Sequence, residues 1–83
     1  MIEIVLNYLP LHLEMKDPQT AYKKFDIAIN LEPQYGMAYY YRAIASERMG
    51  KSLKVIINDY QQAAALMPDP QRATAALERL GEQ

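Results

Sequence analysis

Two stretches of this 83-residue chain carry one pattern at a shift of 35 positions. Phe25, Ala28, Leu31 and Pro33 align with Tyr60, Ala63, Leu66 and Pro68, so aromatic meets aromatic, small meets small and proline meets proline. A period in the mid-thirties made of helical segments is the mark of stacked helix pairs. One such pair cannot cover its own apolar face, so each unit needs a neighbour to close its core. The recurrence restricts the chain to one continuous stack of short helices, because about 80 residues cannot bury two separate cores.

Proline, glycine and aspartate set the segment ends. Asp17-Pro18-Gln19 and Asp69-Pro70-Gln71 both read as helix starts. The Asp carboxylate accepts from an orphan N–H of the first turn, and Pro at the next position lacks an N–H that was unpaired anyway. Pro33 and Pro68 each follow an apolar helical pattern that they cannot continue. Gly50 and Gly81 stand where a left-handed C-terminal cap is needed. The predicted helices are 18–31 with Ala21, Phe25, Ala28 and Leu31 on one stripe; 37–49 with Tyr39, Ala43, Ser46 and Met49; 53–67 with Ile56, Tyr60, Ala63 and Met67; and 70–80 with Ala73, Ala76, Leu77 and Leu80. The segment 2–16 is apolar but contains Pro10, which either kinks a helix or joins two short pieces. Apart from the short Ile2-Glu3-Ile4 there is no period-2 run, so the expected fold is all-α. Connections of only a few residues make consecutive helices antiparallel neighbours.

Composition removes several functions. Nine Lys and Arg against ten Asp and Glu leave a net charge of −1, which gives no generic attraction to nucleic acid or anionic membrane. With no Cys there is no disulfide framework, no thiolate metal site and no thiol nucleophile. No apolar run is long enough to span a bilayer. The opening Met1-Ile2-Glu3 lacks a basic region and makes a poor signal peptide. The absence of a spanning run and the poor signal peptide set the expectation of a cytoplasmic protein without membrane insertion; the absence of Cys does not identify the compartment.

The second unit resembles the tetratricopeptide repeat (TPR) family. The residues that carry the likeness are Tyr39, Ala43, Gly50, Ile56, Tyr60, Ala63 and Pro68, with Ala38-Tyr39-Tyr40-Tyr41-Arg42-Ala43-Ile44-Ala45 similar to a first helix of that motif. Ile56 replaces a small residue of the family pattern, and one extra residue in the turn 51–54 accounts for the spacing of 35. An earlier unit contributes Ala21, Phe25, Ala28 and Pro33, while Leu9, Pro10 and Lys16 depart from the pattern. The resemblance implies a short right-handed superhelix of antiparallel helix pairs in a single domain over 1–83. It would hold a degenerate first repeat (2–35), a second repeat (36–68) and a capping helix (69–81) whose Arg72, Glu78 and Arg79 face water.

Catalytic chemistry has little to build on. His12 is the one imidazole, and no acid stands three or four residues beyond it to complete a metal or acid–base pair; a surface or groove histidine is the simpler reading. No phosphate-binding glycine loop or nucleophile motif occurs. The sequence therefore predicts a protein that is not an enzyme and uses no cofactor or metal. Lys23, Lys24, Lys51 and Lys54 are balanced by acids and read as a solvated face rather than a nucleic-acid stripe. Arg42 faces the following helix, where Asp59 is its expected partner.

The tyrosine cluster is the strongest functional signal. Successive helical residues point about 100° apart, so Tyr39, Tyr40 and Tyr41 cannot all be core. The family resemblance implies that Tyr39 packs inward and that Met37, Tyr40, Tyr41, Ile44, Glu47 and Arg48, with Leu6 and Leu13, line a concave partner-binding surface. Tyr and Met are favoured anchors at recognition surfaces. The same aromatics serve equally well in packing against the preceding repeat or a neighbouring subunit. Some members of the family clamp an acidic C-terminal carboxylate, but the matching positions here include Leu6, Pro10, Tyr40, Tyr41 and Ile44, which do not support that specificity. The expected function is a protein–protein interaction module, an adaptor, scaffold or assembly factor that buries an apolar partner segment. The alternative is a structural, self-associating unit such as a homo-oligomer or a subunit of a larger TPR assembly, since about two repeats fall short of the ≥3 that a stack normally needs.

Overall fold

In the computed structural model, which describes residues 17–81, helix α1 (Pro18–Leu31) starts at Asp17. One Asp17 oxygen accepts from the Thr20 amide at 3.2 Å and the other from the Thr20 hydroxyl at 2.6 Å. The hydroxyl bond, followed by the amide bond, holds this carboxyl below its ordinary range. Helix α2 (Gly36–Arg48), helix α3 (Leu53–Leu66) and helix α4 (Gln71–Arg79) follow, and no strand occurs among the described residues. Each connection is four residues, and consecutive helices pack on one another.

The ends of the helices follow local chemistry. Gly50 closes α2 at φ 73°, with its N–H donating to the Glu47 carbonyl and the Lys51 N–H reaching back to Ser46. This is the left-handed termination in which two orphan carbonyls are satisfied at once. Gly81, at φ 85°, makes the matching bond to the Glu78 carbonyl after α4. Ser52 caps α3 by accepting from the Val55 amide at 3.4 Å. Asp69 departs from expectation: α4 begins one residue later than the Asp-Pro pattern suggests, with Pro70 at the cap and Asp69 accepting from the Gln71 amide at 3.4 Å.

Two buried aromatics mark the two repeated patterns. Phe25, with no exposed surface, lies between α1 and α2 among Ala21, Ala28, Ile29, Ala38, Tyr41 and Ala45. Tyr60, 1% exposed, lies with Ala43, Ile56, Ala76 and Leu77. A third group, Ala63, Met67 and Ala73, joins α3 to α4. Ala28, Ala43 and Ala63 are sealed completely, and their small side chains let neighbouring helices approach closely. Gly36 does the same at the start of α2. A Cβ there would stand 2.8 Å from the Met67 amide nitrogen and 3.0 Å from the Leu66 carbonyl carbon, so helix α2 begins in backbone contact with the end of α3.

Three expectations about inward faces change. Leu31 is 64% exposed and Ile29 takes its place in the core of α1. Tyr39 is only partly buried; its hydroxyl donates to the Pro33 carbonyl at 2.8 Å and so ties α2 back to the turn before it. The enclosed tyrosine is Tyr41, 4% exposed, whose ring stacks on Phe25 with centroids 5.5 Å apart. The physical reason is that α2 has neighbours on two sides. Ala38, Tyr41 and Ala45 face α1, while Ala43 belongs to the core with α3 and α4, so two stripes rather than one are buried.

Arg42 joins three helices. Its Nε and Nη2 donate to the two Asp59 carboxylate oxygens of α3, each at 2.8 Å, and its Nη1 donates to Asp26 of α1 at 2.8 Å. The expected Arg42–Asp59 pair is therefore present, with Asp26 as a second acid. The Asp59 side chain is 4% exposed and the Asp26 side chain 48%. The Asp59 hydrogen bonds, working against desolvation, hold the guanidinium firmly protonated. Its Cζ also lies 5.7 Å from the ring centres of both Tyr22 and Tyr39. The apolar segment 2–16, with Leu6, Pro10, His12 and Leu13, lies outside the described residues.

Candidate interaction surface

Helix α2 presents a third face beyond its two packed stripes. Tyr40 and Ile44, one turn apart, are both part-exposed and turn toward α4. Tyr40 is held by its neighbours on both sides: its ring meets Tyr41 edge-on with centroids 5.2 Å apart and Tyr60 at 5.7 Å. Tyr40 is thus a part-exposed aromatic, held by Tyr41 and Tyr60, on the side of α2 that meets α4. There the Arg72 guanidinium lies 5.5 Å from the ring centre, within the reach of a cation–π contact.

Glu47, a turn further along α2, bridges to α4 as well. Its carboxylate accepts from both terminal nitrogens of Arg79, each at 3.0 Å, and from the Tyr60 hydroxyl at 2.8 Å. Partial burial pushes the Glu47 carboxyl up, but the bonds from Arg79 and Tyr60 outweigh it and hold the group below the ordinary carboxylate range. Burial, and then the bond to Glu47, raise the Tyr60 phenol far above its usual range, so it stays a donor. The Arg79 guanidinium is in turn held protonated by Glu47. With the Arg79 side chain 58% exposed, this ion pair sits at the rim, where such pairs contribute about 0–1 kcal/mol.

Between these contacts lies a shallow depression of about 600 Å³, lined by Tyr40, Ile44, Glu47, Arg48, Tyr60, Arg72, Ala75, Ala76 and Arg79. Four residues singled out in the sequence, Tyr40, Ile44, Glu47 and Arg48, are therefore brought together on one surface. The others are not. Met37 is part-buried against the Ala63–Met67–Ala73 group and does not line the depression. Tyr41 is a core residue, a correction to its place on a binding surface: α1 covers it through Phe25. Leu6 and Leu13 lie outside the described residues. Glu47 is engaged by Arg79 and Tyr60 rather than held out to solvent.

The whole α4 side of the surface was absent from the sequence reading. Arg72 and Arg79 were assigned to solvent, and they are exposed, but they stand on the same edge of α4 as Ala75 and Ala76 and turn the rim cationic. The spacing of 72, 75, 76 and 79 is itself a helical stripe, lying beside the apolar stripe of Ala73, Ala76 and Leu77. A second shallow depression lies along α3, lined by Leu53, Lys54, Val55, Ile57, Asn58 and Gln61. Among the described residues no group of three or more His, Cys, Asp or Glu is placed to hold a metal ion, and no helix is long and apolar enough to cross a membrane. Compared with known proteins, the chain matches no family model, no curated protein and no solved structure.

Proposed function

We propose that this chain is a TPR-like interaction module that holds a segment of a partner protein against the surface between α2 and α4. In this reading α1 closes a degenerate first repeat, α2 and α3 form the second, and α4 is the capping helix of a short right-handed superhelix. The observation that carries the proposal is Tyr40: a part-exposed aromatic, immobilised by Tyr41 and Tyr60, at the floor of an open depression. A rigid aromatic loses little side-chain freedom on binding and gives up a large apolar area, which is what a recognition anchor needs. The mechanism is burial with a few polar contacts, and no bond is made or broken. The role is that of an adaptor, scaffold or assembly factor, and the setting we propose is the cytoplasm. The test is affinity purification from the native source with two baits, the unaltered chain and Tyr40→Ala combined with Ile44→Ala. Partners retained by the first and lost by the second, at unchanged helical circular dichroism, support the surface; equal retention overturns it.

A second reading, self-association as a structural unit, is favoured by one observation. Ile27 and Leu31 on α1, and Leu53 and Val55 on α3, are 42–64% exposed. Contact with another copy would cover these exposed apolar side chains. Light scattering at micromolar concentration decides this reading: a mass of one chain sinks it, and a stable dimer supports it.

A further inference from the structure

We infer that the segment held between α2 and α4 is acidic, with an Asp or Glu set beside a large apolar residue: the carboxylate is read by Arg72, and the apolar side chain sits on Ile44 and the part of Tyr40 that Arg72 leaves uncovered. The inference rests on the docking role proposed for this surface. Three arginines, Arg48, Arg72 and Arg79, line the depression against one carboxylate, Glu47, on a chain whose net charge is −1. The local charge thus opposes that of the molecule. Glu47 neutralises Arg79 and is occupied by it and by the Tyr60 hydroxyl, which leaves Arg72 without a counter-charge among the described residues.

Arg72 is the residue set up for recognition. Among the described residues its guanidinium pairs with no acid; it lies over the Tyr40 ring with 5.5 Å to the centroid. A guanidinium placed over an aromatic face keeps its N–H donors at the edge, where a carboxylate can take two of them in parallel. Because the ring already holds the planar group, less freedom is lost when the acid arrives. Immediately beside it, Tyr40, Ile44, Ala75 and Ala76 offer apolar area without a competing donor or acceptor on the alanines. One partner chemistry satisfies both halves of the surface. A purely apolar segment leaves Arg72 idle, and a basic one is repelled by it.

The test is a selection of random dodecamer peptides displayed on phage against the full chain, repeated with Arg72→Gln and with Tyr40→Ala. The expected result is enrichment of peptides in which Asp or Glu neighbours Leu, Ile, Phe or Met. A synthetic copy of the best peptide should lose about tenfold in affinity on Arg72→Gln and weaken steadily with added salt, while its Gln-for-Glu (or Asn-for-Asp) version should bind both forms of the chain alike. Enrichment of apolar peptides with no acidic bias, lost on Tyr40→Ala, overturns this inference and leaves the docking surface standing. Peptides whose binding survives Tyr40→Ala, or no enrichment at all, overturn the docking surface itself. Displacement of the best peptide by a single-stranded oligothymidine overturns the choice of an acidic protein segment in favour of nucleic acid. Arg72 is exposed and its substitution leaves the core untouched, and circular dichroism of each variant verifies that the helices persist.

Discussion

The Ser46 hydroxyl is enclosed in the middle of the helices and has no hydrogen-bond partner among the described residues. A sealed hydroxyl without a partner has lost its water contacts and recovered nothing. Ser46→Ala removes the orphan group and favours the helix intrinsically. The expected outcome is a melting temperature equal to or above that of the unaltered chain, a gain of about 0–1 kcal/mol by urea denaturation. Arg42 lies at the opposite extreme. Arg42→Ala leaves Asp59 buried beside no counter-charge, and the expected loss is about 3–5 kcal/mol. Arg42→Lys recovers only part, because an ammonium cannot form the paired fork to Asp59 and also reach Asp26. Glu47 sets a pH dependence. Its carboxyl is held below the ordinary range, so its stabilisation is complete above the unfolded value of about 4.3 and is lost as pH falls through the lower folded value. Urea melts between neutral and strongly acid pH should show the difference between the unaltered chain and Glu47→Gln shrinking below about pH 4.

At the scale of the helix, the ends were readable because each depends on one or two residues acting locally. Asp17 before Pro18, Gly50 after α2 and Gly81 after α4 perform the capping expected of them. The packed faces were readable only where a helix has one main stripe. On α3 the stripe of Ile56, Tyr60, Ala63 and Met67 is buried as written in the sequence. On α2 the stripe of Ala38, Tyr41 and Ala45 is as regular as that of Ala43 and Ser46, and both are buried; reading one stripe made Tyr39 the core tyrosine and put Tyr41 outside. Gly36 was silent for a different reason. Its φ is ordinary, so no turn chemistry reveals it, and what it needs is the absence of a Cβ against a backbone thirty residues away. Gly36→Ala pushes the start of α2 off the end of α3, and the expected destabilisation is about 1–3 kcal/mol by thermal melting in spite of the better helix propensity of alanine.

At the scale of the molecule, the four helices of the described residues share three apolar groups, and stability is spread unevenly over them. Helix α4 is the shortest of the described helices, at nine residues, packs chiefly on α3 and touches α2 through Ala76, Leu77, Arg72 and the Glu47–Arg79 pair. Its amides are expected to exchange with solvent before those of α2 and α3 in a native-state hydrogen-exchange experiment. Slower exchange in α4 than in α2 would contradict this account. The same unevenness explains how much of the candidate surface was legible. Tyr40, Ile44, Glu47 and Arg48 lie at helical spacing on one helix, and the family resemblance implies a shared side for them. Arg72 and Arg79 join them only through the folded neighbourhood of α2 and α4, which no local spacing encodes.

The division of charge around Arg42 bears on how the chain can be cut and recombined. The buried acid, Asp59, and the guanidinium that neutralises it both lie within residues 36–68, on α3 and α2, while the acid across the α1–α2 boundary, Asp26, is half open to water. A break at that boundary strands no buried charge on either side. Grafted behind a different preceding helix, residues 36–68 bring the partner of their buried acid with them, and the new seam has to match an apolar face, the Asp26 contact and the Tyr39 bond to the Pro33 carbonyl.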